Sequence, residues 1–162
     1  MAKNAVIGQS GGPTAVINQS MVGVVQALLK GGHAGKILGA RNGVRGMVED
    51  RFVELQDVAN DRLERIAGTP SAALGSSRDK PDEAYAKKVF EVLEKRDVGY
   101  LFYVGGNDSS DTCRIINELA RTQGYDLRCF HVPKTIDNDL VGSDHTPGFP
   151  SAAKFVAAAF MG

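Results

Sequence analysis

At 162 residues, 43% hydrophobic and 23% charged, the chain is the size of one domain and has enough apolar side chains to bury a core. Its 19 basic and 19 acidic residues cancel, so no overall field draws it to nucleic acid or to an acidic membrane surface, and any anion site must be built from local groups. Cys113 and Cys129 have neither metal-ligand spacing nor a disulfide-framework pattern, which points to reduced thiols in a cytoplasm; "MAKNAVIGQSGG" has too few apolar residues for a signal peptide, and no stretch approaches a membrane span.

The first element is the short apolar run "NAVIGQ", Asn4–Gln9, which ends in "SGGPT". Residues 15–30 then repeat their apolar side chains at helical spacing, giving strand, glycine-rich turn and helix. Residues 36–41 predict a second strand, and "RNGVRGM" a turn with Gly43 and Gly46 as turn formers. "FVEL" predicts a short edge strand, and "DVANDRLERI" a short helix begun by Asp57. A loop rich in Gly, Ser and Pro (67–82) leads to a helix over 81–97, with Pro81 at its start, acids in its first turn and bases near its end. "GYLFYVGGNDSS" is a strand running into a second glycine-rich turn, "DTCRIINELARTQG" a helix stopped by Gly124, and "RCFHVPK" the next strand. "PSAAKFVAAAFMG" begins a last helix.

Apolar strands that do not alternate, separated by helices, predict an α/β three-layer sandwich with a mostly parallel sheet. Ligands of such sheets bind beyond the carboxyl ends of the strands. Three strands carry polar, glycine-rich residues there, "SGG" (10–12), "GGNDS" (105–109) and "PKTIDND" (133–139), which makes one composite site the economical expectation.

Each stretch also has a plain structural use. Gly11 and Gly12, like Gly105 and Gly106, serve either a tight turn or the approach of backbone N–H groups to an anion. Asp108 or Ser109 is expected to cap a helix from Asp111 onward. Thr135, Asp137 and Asp139 suit turns bonded to their own backbone. In an extended segment, though, those three share one face, with Lys134, Ile136 and Asn138 on the other. Two carboxylates beside a hydroxyl and near anion-binding loops can divide labour, one taking a proton from an alcohol while the other helps hold a hard cation. That is the equipment of phosphoryl transfer.

In order and separation, "SGG", "LGSSR" (74–78), "GGNDS", "PKTIDND" and "GSDHTPGF" (142–149) resemble the N-terminal half of 6-phosphofructokinases over nearly the whole chain, with "TIDND" the most specific part. The resemblance implies an α/β sandwich in which Asp137 is the base that deprotonates the 1-hydroxyl of fructose 6-phosphate. It places Thr135 at the transferring phosphoryl group, Ile136 beside the substrate, and Asp139 near magnesium and the sugar. Gly11, Gly12, Gly105, Gly106 and Ser109 fall at the phosphoryl donor, and Arg78 at its charge.

Family members using ATP typically have glycine where this chain has Asp108 and Lys134. A carboxylate at 108 adds bulk and negative charge where a nucleotide would pass, and a lysine at 134 neutralises a short, dense donor. The chain therefore resembles the pyrophosphate-dependent branch, whose reaction is readily reversible. Many of those relatives have a magnesium-binding aspartate where Asn107 stands; an amide oxygen can coordinate but adds no charge.

Family members are longer, so the resemblance implies that residues 1–162 are a donor-binding domain with the start of a substrate domain near 135–162. Such a portion is expected to bind pyrophosphate weakly, to turn over little and to expose apolar surface along "FVAAAF"; the family's shared sites also imply a homo-oligomer. Sedoheptulose 7-phosphate remains an alternative acceptor. An ATP-dependent relative, a noncatalytic subunit of the same fold, and the glycine-aspartate loop of NAD and lipid kinases are the other readings; the intact Asp137 and Lys134 weigh against the second, and the full "PKTIDND" against the third. His33 and His131 read as surface and strand-end residues, and His145 lies near the site by spacing.

Overall fold

A computed structural model describes residues 2–162. Its five-stranded sheet has the order β3-β2-β1-β4-β5, built from β1 (Asn4–Gln9), β2 (Ile37–Ala40), β3 (Phe52–Glu54), β4 (Val98–Gly105) and β5 (Arg128–Pro133). β1 runs parallel to both β2 and β4, and β4 parallel to β5; only β3, at an edge, is antiparallel. The mostly parallel sheet of the sequence reading is therefore present, with one reversed edge strand.

Helices cover both faces. Along β1, Val6 points into one apolar cluster and Ile7 into the other, which is why the strand is apolar throughout rather than alternating. The first cluster is closed by α2 (Gly43–Val48), α4 (Glu83–Lys95) and α5 (Asn107–Thr122), the second by α1 (Ile17–Gly31) and α3 (Asn60–Ala67). In α4 the Asp82 side chain caps the helix by accepting from Tyr85 N, and Ala86, Val89, Phe90 and Leu93 recur at helical spacing on the buried face. Side chains the size of Val89, Phe90 and Leu93 each contribute about 1.5–3 kcal/mol when fully buried.

Three expectations are corrected. "RNGVRGM" is not merely a turn: Asn42 and Gly43 take left-handed backbone, and the chain then winds into α2, which buries Val44 and Met47. α3 begins at Asn60 rather than Asp57, after an extended Ala59. α5 begins at Asn107, four residues before Asp111, with Gly106 as its N-cap, so neither Asp108 nor Ser109 caps it.

The last helix, α6 (Phe149–Met161), buries none of its residues; Phe155 is 75% and Phe160 89% exposed. Cys113 and Cys129 are free thiols, and burial pushes both up to about 12, which makes them poor nucleophiles. No helix among the described residues is long and apolar enough to cross a membrane.

Candidate active site

Because β1, β4 and β5 are parallel neighbours, their carboxyl ends lie at one edge of the sheet, with Gln9 beside Val104 and Gly105 beside Pro133. Beyond that edge opens a cleft of about 680 Å³, walled by residues 10–14, 77–80, 106–109, 134–137 and 139. The three glycine-rich or acidic turns thus meet in one place, and Asp137 shares the cleft with Gly11 and Gly106.

The back of the cleft is knitted from hydroxyls and close-packed backbone. Ser10 and Ser109, both buried, share a short hydrogen bond that joins the turn after β1 to the first turn of α5. Gly105 makes this possible: a Cβ there would stand 2.0 Å from Ser109 Oγ and 2.5 Å from Ser10 Oγ. Gly105 itself lies behind the wall, its carbonyl accepting from Lys134 N at 2.9 Å with His131 Nε2 at 2.8 Å. Ser109 is accordingly a joint between two loops.

Gly11 has φ +73°, and its N–H donates to Ser77 O while its carbonyl accepts from Ser76 Oγ at 2.5 Å. Its amide is thus occupied by the loop that carries Arg78. Open donors remain at Gly12, whose N–H has no protein acceptor among the described residues, and at the start of α5, whose glycine cap supplies no side chain.

Lys134 is only 3% exposed, and its ammonium donates to Gly12 O at 2.7 Å, using one of three available N–H groups. A Cβ on Gly11 would lie 3.2 Å from this Nζ, and one on Gly12 3.3 Å from Arg78 Nη2. Burial lowers the pKa of Lys134 from its ordinary value, nearby Arg78 lowers it further, and the Asp137 carboxylate opposes them.

The segment after Lys134 does not stay extended, so the expected alternation of faces fails. Thr135 Oγ1 accepts from Asp137 N at 3.1 Å, and Asn138 takes φ 56°, bending the chain. Lys134 and Thr135 are both buried, whereas Ile136, Asp137 and Asp139 are exposed, yet all five line the cleft. The bend is held from below: Thr146 N donates to Asn138 Oδ1 at 2.8 Å and Thr146 Oγ1 to Thr135 O at 2.7 Å.

At the mouth, Asn107 Nδ2 donates to Asp139 Oδ2 at 2.8 Å, and Lys80 Nζ stands 2.9 Å from Asp108 Oδ2. The two residues expected at magnesium are therefore in contact. They offer an amide oxygen and a carboxylate, and no cluster of three or more His, Cys, Asp or Glu able to hold a metal occurs among the described residues. Such a partial oxygen set fits magnesium, which ordinarily completes its shell with phosphate oxygens and water.

The sequence reading gives no individual site role to Ser10, Ser76, Ser77, Lys80, Asn138 or Thr146. All but Lys80 lie inside the stretches that carry the resemblance, and the signal at Lys80 is a second base two residues beyond Arg78. His145 stands 6.0 Å from the Phe149 ring and does not line the cleft.

The family profile described as Phosphofructokinase matches residues 4–161. A pyrophosphate–fructose 6-phosphate 1-phosphotransferase of Rhodospirillum rubrum is 57% identical over 157 residues, 97% of this chain and 39% of the relative. An enzyme of the same description from Xanthomonas campestris is 42% identical, over 95% of this chain and 38% of its own. The crystal structure of a pyrophosphate-dependent phosphofructokinase from Nitrosospira multiformis superposes with a TM-score of 0.92 at 42% identity, covering 98% of this chain and 40% of that one. The chain spans about two fifths of the length of the curated relatives it matches.

Proposed function

The chain belongs to the phosphofructokinase family, and from that premise we propose that its cleft serves the transfer of a phosphoryl group from inorganic pyrophosphate to the 1-hydroxyl of fructose 6-phosphate. The observation that carries this reading is the buried Lys134, whose ammonium sits on the Gly12 carbonyl with Arg78 beside it. A compact donor with no nucleoside to grip needs its counter-charge concentrated at one point, and this is that point.

Asp137 stands at the open side of the same cleft, its carboxylate free of hydrogen bonds among the described residues. In the proposed step one Asp137 oxygen takes the proton of the 1-hydroxyl while the sugar oxygen bonds to the nearer phosphorus. The bridging P–O bond breaks, and inorganic phosphate leaves with the electron pair. Lys134, Arg78 and the N–H groups opening α5 offset the charge that builds on the leaving group. The Thr135 hydroxyl, bonded to Asp137 N, fixes where the base stands, and Ile136 walls the sugar side. When bound, magnesium would be held by Asp139 and the Asn107 amide oxygen and would neutralise phosphate oxygens. The same reading takes glycolysis and gluconeogenesis as context, the cytoplasm as location and a homo-oligomer as the assembled form.

A coupled assay on the complete polypeptide, comparing pyrophosphate with ATP, tests the proposal. Turnover with pyrophosphate and little with ATP is expected, and Asp137→Ala should lose roughly 10²- to 10⁴-fold in kcat, the range for a removed general base, while calorimetry still detects pyrophosphate binding. Equal rates with both donors would remove the donor argument built on Asp108 and Lys134.

A further inference from the structure

The sequence argument gives Asp108 two ways to exclude a nucleotide, bulk and negative charge, but a negative charge repels pyrophosphate as well. The structure resolves the conflict through a residue the sequence left unassigned. Lys80 Nζ stands 2.9 Å from Asp108 Oδ2, joining the loop that carries Arg78 to the first turn of α5, and both side chains line the cleft beside Gly12 and Lys134.

The backbone beside Lys80 is fixed independently. Asp79 is held in two-pronged fashion by Arg45, at 3.1 and 2.6 Å, accepts from Tyr85 Oη at 3.0 Å, and donates its own N–H to Ser77 Oγ. The Asp79 charge is thereby directed away from the donor. Asp139 is engaged with Asn107. Asp137 is kept unpaired as the proposed base on the acceptor side; of the remaining acidic residues on the wall, Asp108, in the first turn of α5, is the one whose charge is met by a cation of the facing loop, and Lys80 is that counter-charge.

We infer that Lys80 is a positioning residue for donor choice: it neutralises Asp108, so that this side chain shortens the cleft against nucleotides by bulk without repelling pyrophosphate. The inference rests on the functional reading above. Both partners are more than 60% exposed, and exposed pairs contribute little to folding; removing Lys80 should therefore alter donor kinetics and leave Tm unmoved, which a merely structural bridge would not do.

The test is a double-mutant cycle in the complete polypeptide, with Lys80→Met, Asp108→Asn and both together, reading KM for magnesium pyrophosphate and for ATP, with calorimetric binding of inorganic pyrophosphate alongside. Lys80→Met should raise the pyrophosphate KM roughly threefold to tenfold, the scale of one solvent-exposed unit charge near a bound anion, and should move kcat much less. Adding Asp108→Asn should bring that KM back toward the starting value. The amide keeps the bulk, so ATP should stay a poor donor in Asp108→Asn and improve in Asp108→Gly. A Lys80→Met loss that is unchanged in the Asp108→Asn background, no loss at all, or ATP use restored by Asp108→Asn alone would each overturn the inference. A starting enzyme that prefers ATP would instead overturn the functional reading, so the two failures are distinguishable.

Discussion

At the back of the cleft Ser10, Ser109 and Lys134 are 3–5% exposed and each is bonded to a neighbouring loop, whereas at the front Ile136 is half exposed and the Lys80 and Asp108 side chains stand 72% and 65% exposed. The back is set by the sheet. Three parallel strand ends, a shared serine pair and a lysine seated on a carbonyl fix its geometry before any ligand arrives, which is the condition for electrostatic preorganisation. The front takes its shape from charge pairs and a bent loop, and α6 beyond it buries nothing. Substitutions at the back should therefore change donor affinity and folding together, and those at the front should change kinetics while leaving Tm in place.

Among substitutions of the donor-binding side, the largest effect on affinity is expected at Lys134. A hydrogen bond to a charged group contributes about 1.5–3 kcal/mol, so Lys134→Met should raise the pyrophosphate KM by roughly 10- to 100-fold, measured on the complete polypeptide. Its pH dependence follows from burial. The ammonium loses its proton at a lower pH than an ordinary lysine, so pyrophosphate affinity should begin to fall on the alkaline side below the usual lysine range near 10.4; Lys134→Arg should carry that limb out of reach. The sign for stability is opposite. A lysine with a depressed folded-state pKa holds its proton more tightly when unfolded, so the burial penalty is present at neutral pH and disappears as pH rises through the window between the folded and unfolded values. Relative to Lys134→Met, the native protein should gain stability across that window. A flat difference between their melting curves would contradict the buried ammonium.

Next in size is Gly105→Ala. The added methyl would stand 2.0 Å from Ser109 Oγ, an atom already committed to Ser10. Overpacking of this kind costs roughly 1–3 kcal/mol, and a second change, Ser109→Ala, removes the nearest atom and should return part of the loss in a thermal melt. If Gly105→Ala proved as harmless to Tm as Lys80→Met is expected to be, the contrast between back and front would collapse.

The same contrast governs what was legible in the sequence. The central strands β1, β2 and β4 are readable because each is apolar on both faces, as burial between two helical layers requires, and the convergence of three turns follows from parallel strands having a common end. α2 escaped because six residues with a glycine at each third position read as a turn until Val44 and Met47 are seen to reach the core. The start of α5 escaped because Asn, Asp and Ser are poor helix formers, although the first turn suits their polar and acidic side chains. The faces of residues 134–139 were misread because a left-handed Asn138 and the Thr135 hydroxyl bend the segment, and neither is visible in a period of two. Lys80 shows in the sequence only as a second base near Arg78, and its role is hidden for a different reason: a lysine in a loop rich in Gly, Ser and Pro is ordinarily solvated, and its partner is chosen by an element 28 residues away in the chain.

The smallest effect, and the most diagnostic of the front, belongs to Asn107→Asp. The amide now donates to Asp139 Oδ2 at 2.8 Å. A carboxylate in its place has no proton to give and sets two like charges in contact, a repulsion that a divalent cation between them would relieve. Metal affinity follows the number of charged ligands, so the magnesium concentration giving half-maximal rate at saturating pyrophosphate should fall roughly threefold to tenfold, with turnover retained. Adding Asp139→Asn should cancel the gain, because the pair then carries one charge as it does now. Superimposable magnesium titrations for the native protein and Asn107→Asp would mean that the metal, if it binds, takes its oxygens from the donor and from residues other than these two.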